Sequence, residues 1–146
     1  MLADNLKKLL ASEVALYIKT SQFHWNIEGS DFPQYHEFLG DMYAEVYSSI
    51  DPTAELIRTL DEYAPGSFKR YGELSVIVDQ VQIPKAELMM RELFQDQDIM
   101  LVLLEDCMND AEEEDQDGIA NFIADRKIAH GKHRWMLRAT IQNMAK

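Results

Sequence analysis

Apolar positions recur along this chain at helical steps, in four long stretches separated by short clusters of turn-forming residues. In the first stretch, roughly 4–28, Leu6, Leu10, Val14 and Tyr17 follow one another at steps of three and four. In the third, roughly 84–113, Leu88, Leu93, Phe94, Leu101 and Leu104 keep a similar rhythm. The second and fourth, 32–62 and 118–144, are built from the same strong helix formers. Gly29-Ser30-Asp31, Pro65-Gly66-Ser67 and Asp115-Gln116-Asp117-Gly118 mark the breaks between them. Ser30 or Asp31 is expected to cap the second helix, and Pro84 to sit in the first turn of the third. The 63–83 connection holds a candidate short helix from Gly72 to Gln80, with Leu74, Ile77, Val78 and Val81 as its apolar side. Pro52, inside the second stretch, removes a backbone donor and crowds the preceding turn, so a kink or break is expected at 48–52. Four long helices with one long mid-chain connection describe an all-α four-helix bundle with a crossover, one domain over 1–146.

Composition narrows the setting. The chain has 146 residues and is 47% apolar and 27% charged, long enough for a core without staples. The longest apolar run, Ile99 to Leu104, is far too short to cross a bilayer. The start, Met1 to Lys8, carries acid and amide early with no small-residue cleavage site, so no signal peptide is expected. A lone Cys107 rules out an intramolecular disulfide and fits a reducing cytoplasm. With 26 acids against 14 bases, the net charge of −12 disfavours nucleic acid and favours cations.

Candidate chemistry begins at the first turn. His24 and His36 flank the break at 29–31 almost symmetrically, so in an antiparallel helix pair they sit at one height. His24 also continues a stripe through Leu10, Val14, Tyr17 and Ser21. Two imidazoles at one level suit a metal, and they equally suit two half-buried histidines satisfied by hydrogen bonds. Asp51 and Glu55, four apart, share a helix face and could chelate a cation; alone, such a pair describes a solvated acidic face. His36 and Asp51 are fifteen residues apart, about 22 Å along one helix. One metal cannot bridge that gap within a chain. The two pairs meet only across a two-fold interface with antiparallel second helices.

The run His24-Trp25-Asn26-Ile27-Glu28-Gly29, then Phe32, His36-Glu37, Tyr43 and Asp51-Pro52-Thr53-Ala54-Glu55 resembles the signature of the Dps family, DNA-protection-during-starvation proteins of the ferritin-like superfamily. His133 to Arg138 is similar to the family's closing helix. The resemblance implies a ferritin-like bundle with a short extra helix between helices 2 and 3, assembled into a dodecameric shell. It implies iron held by His24 and His36 of one subunit and by Asp51 and Glu55 of its two-fold mate, oxidised by hydrogen peroxide or oxygen and stored as mineral. Trp25 would then lie beside the iron as an electron donor, though an aromatic packed into the bundle fits the position equally. Acidic residues at the third junction would line pores, making Glu113, Glu114 and Asp117 weak candidates in an otherwise solvated helix end.

One departure stands out. The family supplies a further carboxylate four residues after the second histidine, where this chain has Gly40, so a second iron of a dinuclear site would bind weakly or not at all. His130 and His133 could hold an extra metal; a solvated pair near a helix end is the simpler expectation. Competing functions are a non-enzymatic metal-binding shell and a DNA-compacting protein, the latter lacking Lys-rich extensions here. An ordinary ferritin is excluded, since no histidine has a Glu three residues before it.

Overall fold

The computed structural model describes residues 1–142. Five helices follow in order: α1 Leu2–Asn26, α2 Phe32–Thr59, α3 Phe68–Leu74, α4 Ala86–Glu113 and α5 Asp117–Ile141. Four are long and α3 is the short helix of the crossover, so the expected ferritin-like bundle is the fold found. The end of the fourth stretch, 143–144, lies outside the described residues.

α1 buries a stripe of Leu2, Leu6, Leu9, Leu16 and Phe23, each shielded from water. Each such side chain contributes about 1.5–3 kcal/mol of burial. Met90, Leu93, Leu104 and Ile123 close the core from α4 and α5. Leu88, expected on the inner side of α4, is instead exposed, and Val14 and Tyr17 are only half buried. In α1 the expected Leu6, Leu10 and Ser21 are buried, and between them the inward line passes through Leu16 instead of Val14 and Tyr17.

Directions follow from contacts between helix ends. Asn5 donates to Asp110 at 2.7 Å, and the Leu2 amide donates to Glu114 at 2.9 Å, so α4 ends where α1 begins. Lys7 meets Glu62 at 2.8 Å just beyond the end of α2. The 60–85 connection must then climb the length of the bundle before α4 starts. Gly29 makes the first turn possible: its φ of +125° is closed to residues with a side chain.

The crossover differs from the expected one. Ser67 caps α3 by accepting from the Arg70 amide at 3.2 Å, which starts the helix four residues early. Ser75 then ends it, its hydroxyl accepting from the Ile77 amide at 2.9 Å. Ile77 is buried, but Val78 and Val81 stand in solvent in this chain.

α2 runs unbroken through Pro52, so the expected break does not occur. Pro52 and Ser48 both lie on the exposed side, where the carbonyl freed by the missing amide can be hydrated. On the buried side the Thr53 hydroxyl donates to the Ser49 carbonyl at 2.8 Å and holds the turn. At the other ends, α2 starts without a side-chain bond from Asp31, and Pro84 precedes α4, whose cap is Lys85.

Candidate functional site

The tight first turn brings α1 and α2 together as an antiparallel pair, and His24 and His36 meet face to face. Their rings stack with centroids 3.8 Å apart and planes 11° from parallel. His24 Nδ1 lies 2.5 Å from the His36 carbonyl, and His36 Nδ1 lies 2.7 Å from the His24 carbonyl. A carbonyl only accepts, so each Nδ1 carries a hydrogen and donates it. Each Nε2 is then left as a bare lone pair. This reciprocal bond fixes the tautomer and ring orientation that a metal-ligating histidine needs. Phe32 stacks on His36 at 5.0 Å, and Tyr43 sets its edge against His24 at 5.2 Å, which walls the pair on two sides.

Gly40 has a second consequence beyond the missing carboxylate. A Cβ there would fall 2.8 Å from His24 Cε1, inside any tolerable contact. The bare α-carbon is what lets the His24 ring lie against α2. Replacing Gly40 by Ala should leave stability nearly unchanged. About 1 kcal/mol of helix propensity is gained, and about 1 kcal/mol is lost with the displaced hydrogen bond. Divalent-metal affinity should nevertheless fall roughly 10–100-fold as the His24 orientation is lost. Thermal denaturation beside a metal titration checks both halves.

Asp51 and Glu55 lie exposed on α2. A hydrogen bond with Asp51, and then its negative charge, push the Glu55 carboxyl above its ordinary value, so the two are close enough to interact and repel. A bound cation would relieve that repulsion. Because α2 is continuous, Asp51 stays about 22 Å and Glu55 about 28 Å from His36. Among the described residues, no three His, Cys, Asp or Glu side chains of one chain are placed to hold a metal. Trp25 is 69% exposed, so it is not packed into its own bundle.

At the α4–α5 junction Glu113 and Asp117 are exposed and free of side-chain bonds within the described residues. Glu114 differs from them: its carboxylate caps the Leu2 amide, which gives it a structural task. Asp115, with φ +56°, makes the turn, and the Gln116 amide returns to the Ala111 carbonyl at 2.8 Å. Cys107 is buried, and burial pushes its thiol up to about 12, outside metal or redox use.

His130 and His133 are not the solvated pair expected. They face the bundle interior, where His130 Nδ1 bonds Gln97 at 2.8 Å and His133 Nε2 bonds Glu45 at 2.9 Å. Burial holds His130 down at about 3, and Arg126 adds to this by repulsion. Arg126 clasps Glu45 through two bonds of 2.5 and 3.0 Å. Burial opposes ionisation of Glu45, but bonds from His133 and Arg126 outweigh it and hold the carboxyl at about 2. Glu13, wholly buried, is pushed up to about 8 by its burial. This interior cluster escapes sequence reasoning except for one sign: Glu13 interrupts the Leu2, Leu6, Leu9, Leu16 stripe with a charge.

The bundle, the paired histidines and the paired carboxylates define a ferritin-like protein, and the description "Ferritin-like domain" matches residues 3–146. The chain belongs to that family, and within it to the Dps proteins. It is 31% identical over 134 residues to DNA protection during starvation protein 2 of Bacillus anthracis, covering 92% of each chain. A solved Dps structure from Vibrio cholerae O1, described as a member of a broad superfamily of ferritin-like diiron-carboxylate proteins, superposes with a TM-score of 0.92. It is 29% identical, over 96% of this chain and 88% of that one. Antigen TpF1 of Treponema pallidum, also solved, gives a TM-score of 0.92 at 28% identity over 96% and 90%. Among the described residues no helix is long and apolar enough to cross a membrane.

Proposed function

We propose that this chain is the subunit of an iron-oxidising, iron-storing mini-ferritin cage, with Fe(II) as substrate at sites shared between two-fold partners. The observation that carries the reading is the reciprocal histidine pair, which leaves two Nε2 lone pairs at the mouth of the first turn. Borderline Fe(II) accepts imidazole and carboxylate together. The carboxylates come from a partner's α2, because Asp51 and Glu55 of the same chain lie about 22 and 28 Å from His36. Exposed Trp25, Phe32 and Tyr47 around these residues supply apolar surface for that partner to cover. Closed assembly of such dimers into a dodecamer fits the family, and the cytoplasm fits a chain whose one cysteine is a buried thiol.

In the reaction two Fe(II) each give one electron to hydrogen peroxide, whose O–O bond breaks; two protons are taken up and two waters form. Pairing the electrons avoids hydroxyl radical, and oxygen is the slower alternative oxidant. Trp25, exposed beside His24, is placed to supply an electron when only one iron is present. Gly40 offers no carboxylate, so the second iron is the weaker one. Glu113 and Asp117 draw Fe(II) toward the shell by their charge, and Fe(III) hydrolyses against an acidic inner wall. A net charge of −12 argues against DNA compaction.

Peroxide-driven Fe(II) oxidation by His24→Ala tests the reading. A loss of roughly 10–100-fold is expected. Oxidation as fast as the unaltered protein's would place the site elsewhere, and metal binding with no oxidation by either protein would favour a non-enzymatic shell.

A further inference from the structure

Three tyrosines outside the core continue the line that the stacked histidines begin. On α2, His36, Tyr43, Tyr47 and Asp51 follow one another at steps of seven, four and four, which keeps all of them on one face of the helix. Tyr17 of α1 fits between the two phenols, its ring centroid 5.7 Å from that of Tyr43 and 5.0 Å from that of Tyr47. Tyr43 in turn sets its edge against His24 at 5.2 Å. Each of these spacings is that of aromatic rings in contact. An unbroken run of rings therefore leads from the histidine pair to Tyr47, which stands one helical turn, about 6 Å, before Asp51.

Core packing does not account for three phenols here. Leu16, Met42 and Val46, their neighbours in sequence, are closed to water, whereas Tyr17 and Tyr43 are half buried and Tyr47 is exposed. What a phenol offers that an aliphatic chain or a phenyl ring does not is an electron, released together with its hydroxyl proton. The two ends of the run show where such an electron would travel. His24 and His36 lie at one end. Asp51, the carboxylate that serves the partner's imidazoles on the reading above, lies at the other. In a two-fold dimer each chain thus carries phenols from beside one iron site to beside its equivalent. Gly40 gives the path a purpose. Without a carboxylate there each site holds one iron firmly, while hydrogen peroxide must receive two electrons if only water is to form.

We propose that Tyr43, Tyr17 and Tyr47 relay electrons between the two iron sites of a dimer, so that two irons about 22 Å apart along α2 together reduce one hydrogen peroxide. The relay rests on the shared iron site proposed above and extends it. At the site where peroxide arrives, the local Fe(II) gives one electron and the nearby Tyr47 gives the second. The O–O bond breaks, two protons are taken up and two waters form. Tyr47 is refilled through Tyr17 and Tyr43 by the Fe(II) at the other site, and each phenol regains the proton it released. The balance is two Fe(II) to two Fe(III) for one peroxide, with no net change in the tyrosines.

The test loads assembled protein anaerobically with one Fe(II) per chain and adds hydrogen peroxide in shortfall. Fe(II) oxidised per peroxide is counted, and radicals are followed by freeze-quenched electron paramagnetic resonance. The unaltered protein should oxidise about two Fe(II) per peroxide, one from each site of a dimer. Tyr17→Phe keeps the ring but interrupts the relay, so the ratio should fall toward one. A tyrosyl radical should then accumulate, because Tyr47 is no longer refilled. Ring-deuterated tyrosine, which narrows that signal, separates it from one on Trp25. Tyr47→Phe, at an exposed position where folding is undisturbed, should lower the ratio likewise, and Tyr63→Phe, exposed away from the line, should not. A ratio near two in both Tyr17→Phe and Tyr47→Phe overturns the relay. So does a lower ratio in Tyr17→Phe without a tyrosyl signal, which a structural effect would give. Co(II) titration keeps the two readings apart. Tyr17→Phe should bind Co(II) as the unaltered protein does, and a loss there would make Tyr17 a structural support and overturn the relay. His24→Ala should bind Co(II) roughly 10–100-fold more weakly. Undiminished binding by His24→Ala would remove the shared site and the relay with it; diminished binding, with the peroxide ratio unchanged in both tyrosine variants, would remove the relay alone.

Discussion

Chains carrying His24→Ala, co-assembled with chains carrying Asp51→Asn, are expected to oxidise Fe(II) although neither variant does so alone. The reason is geometric. α2 is a continuous helix from Phe32 to Thr59, so His36 and Asp51 are held about 22 Å apart by the rise of the helix itself. No rotamer closes that distance. A two-fold dimer has two equivalent sites, each taking its imidazoles from one chain and its carboxylates from the other. In a mixed dimer one site inherits both lesions and the other inherits neither. Random pairing makes half of the dimers mixed, so about a quarter of the sites are intact. The co-assembled sample should recover about a quarter of the unaltered rate, against the roughly 10–100-fold loss of each parent. Preformed cages mixed without reassembly should show no recovery. Asp51→Asn keeps the size of the side chain on an exposed helix face, so its loss of activity reports on ligation and not on folding. Recovery no greater than that of the preformed mixture would mean that the imidazoles and carboxylates do not share a site.

The parts of this protein that could be read from its sequence are those set by short-range rules. Twenty-five to twenty-eight residues of sustained helical period gave each long helix to within a few residues. The equal spacing of His24 and His36 about Ser30 placed them at one height, because a tight turn leaves an antiparallel pair no freedom to slide. What failed depended on distant residues. His130 and His133 look like a solvated pair along α5, yet their partners Gln97, Arg126 and Glu45 come mainly from other helices, up to 88 positions away. The packing of α5 against α4 and α2 decides that those rings turn inward. In the crossover, two serine hydroxyls outweighed the apolar period: Ser67 started α3 and Ser75 stopped it before Ile77. Gly40 was legible as a missing carboxylate, but its contact with the His24 ring joins two helices and no spacing rule reveals it.

Glu13→Gln should make the protein more resistant to heat at pH 8.5 while changing little below pH 5. Burial raises the Glu13 carboxyl from 4.5 to about 8, against the opposing pull of Ser49, Thr53 and Arg126. Between those values the folded chain holds a proton that the unfolded chain releases. The stability tied to that proton is therefore complete below about 4.5 and lost progressively as pH rises toward 8. The span corresponds to a cost on the order of 3–5 kcal/mol for Glu relative to a residue that cannot ionise. Two neighbours work in the opposite direction. Glu45, held at about 2, and His130, held at about 3, both lend stability that grows with pH, but His130 has given all of it by its ordinary 6.5 and Glu45 earlier still. From 6.5 to 8 only the Glu13 slope remains within this cluster, so that window isolates it. Glutamine keeps an oxygen to accept the Ser49 hydroxyl and carries no charge to bury. Melting temperatures by circular dichroism should fall between pH 6.5 and 8 for the unaltered protein and stay level for Glu13→Gln. A gap on the order of 10 °C is expected at pH 8.5. Parallel curves for the two proteins across that window would show that the buried carboxyl is already ionised at neutral pH, with Arg126 as its counter-ion.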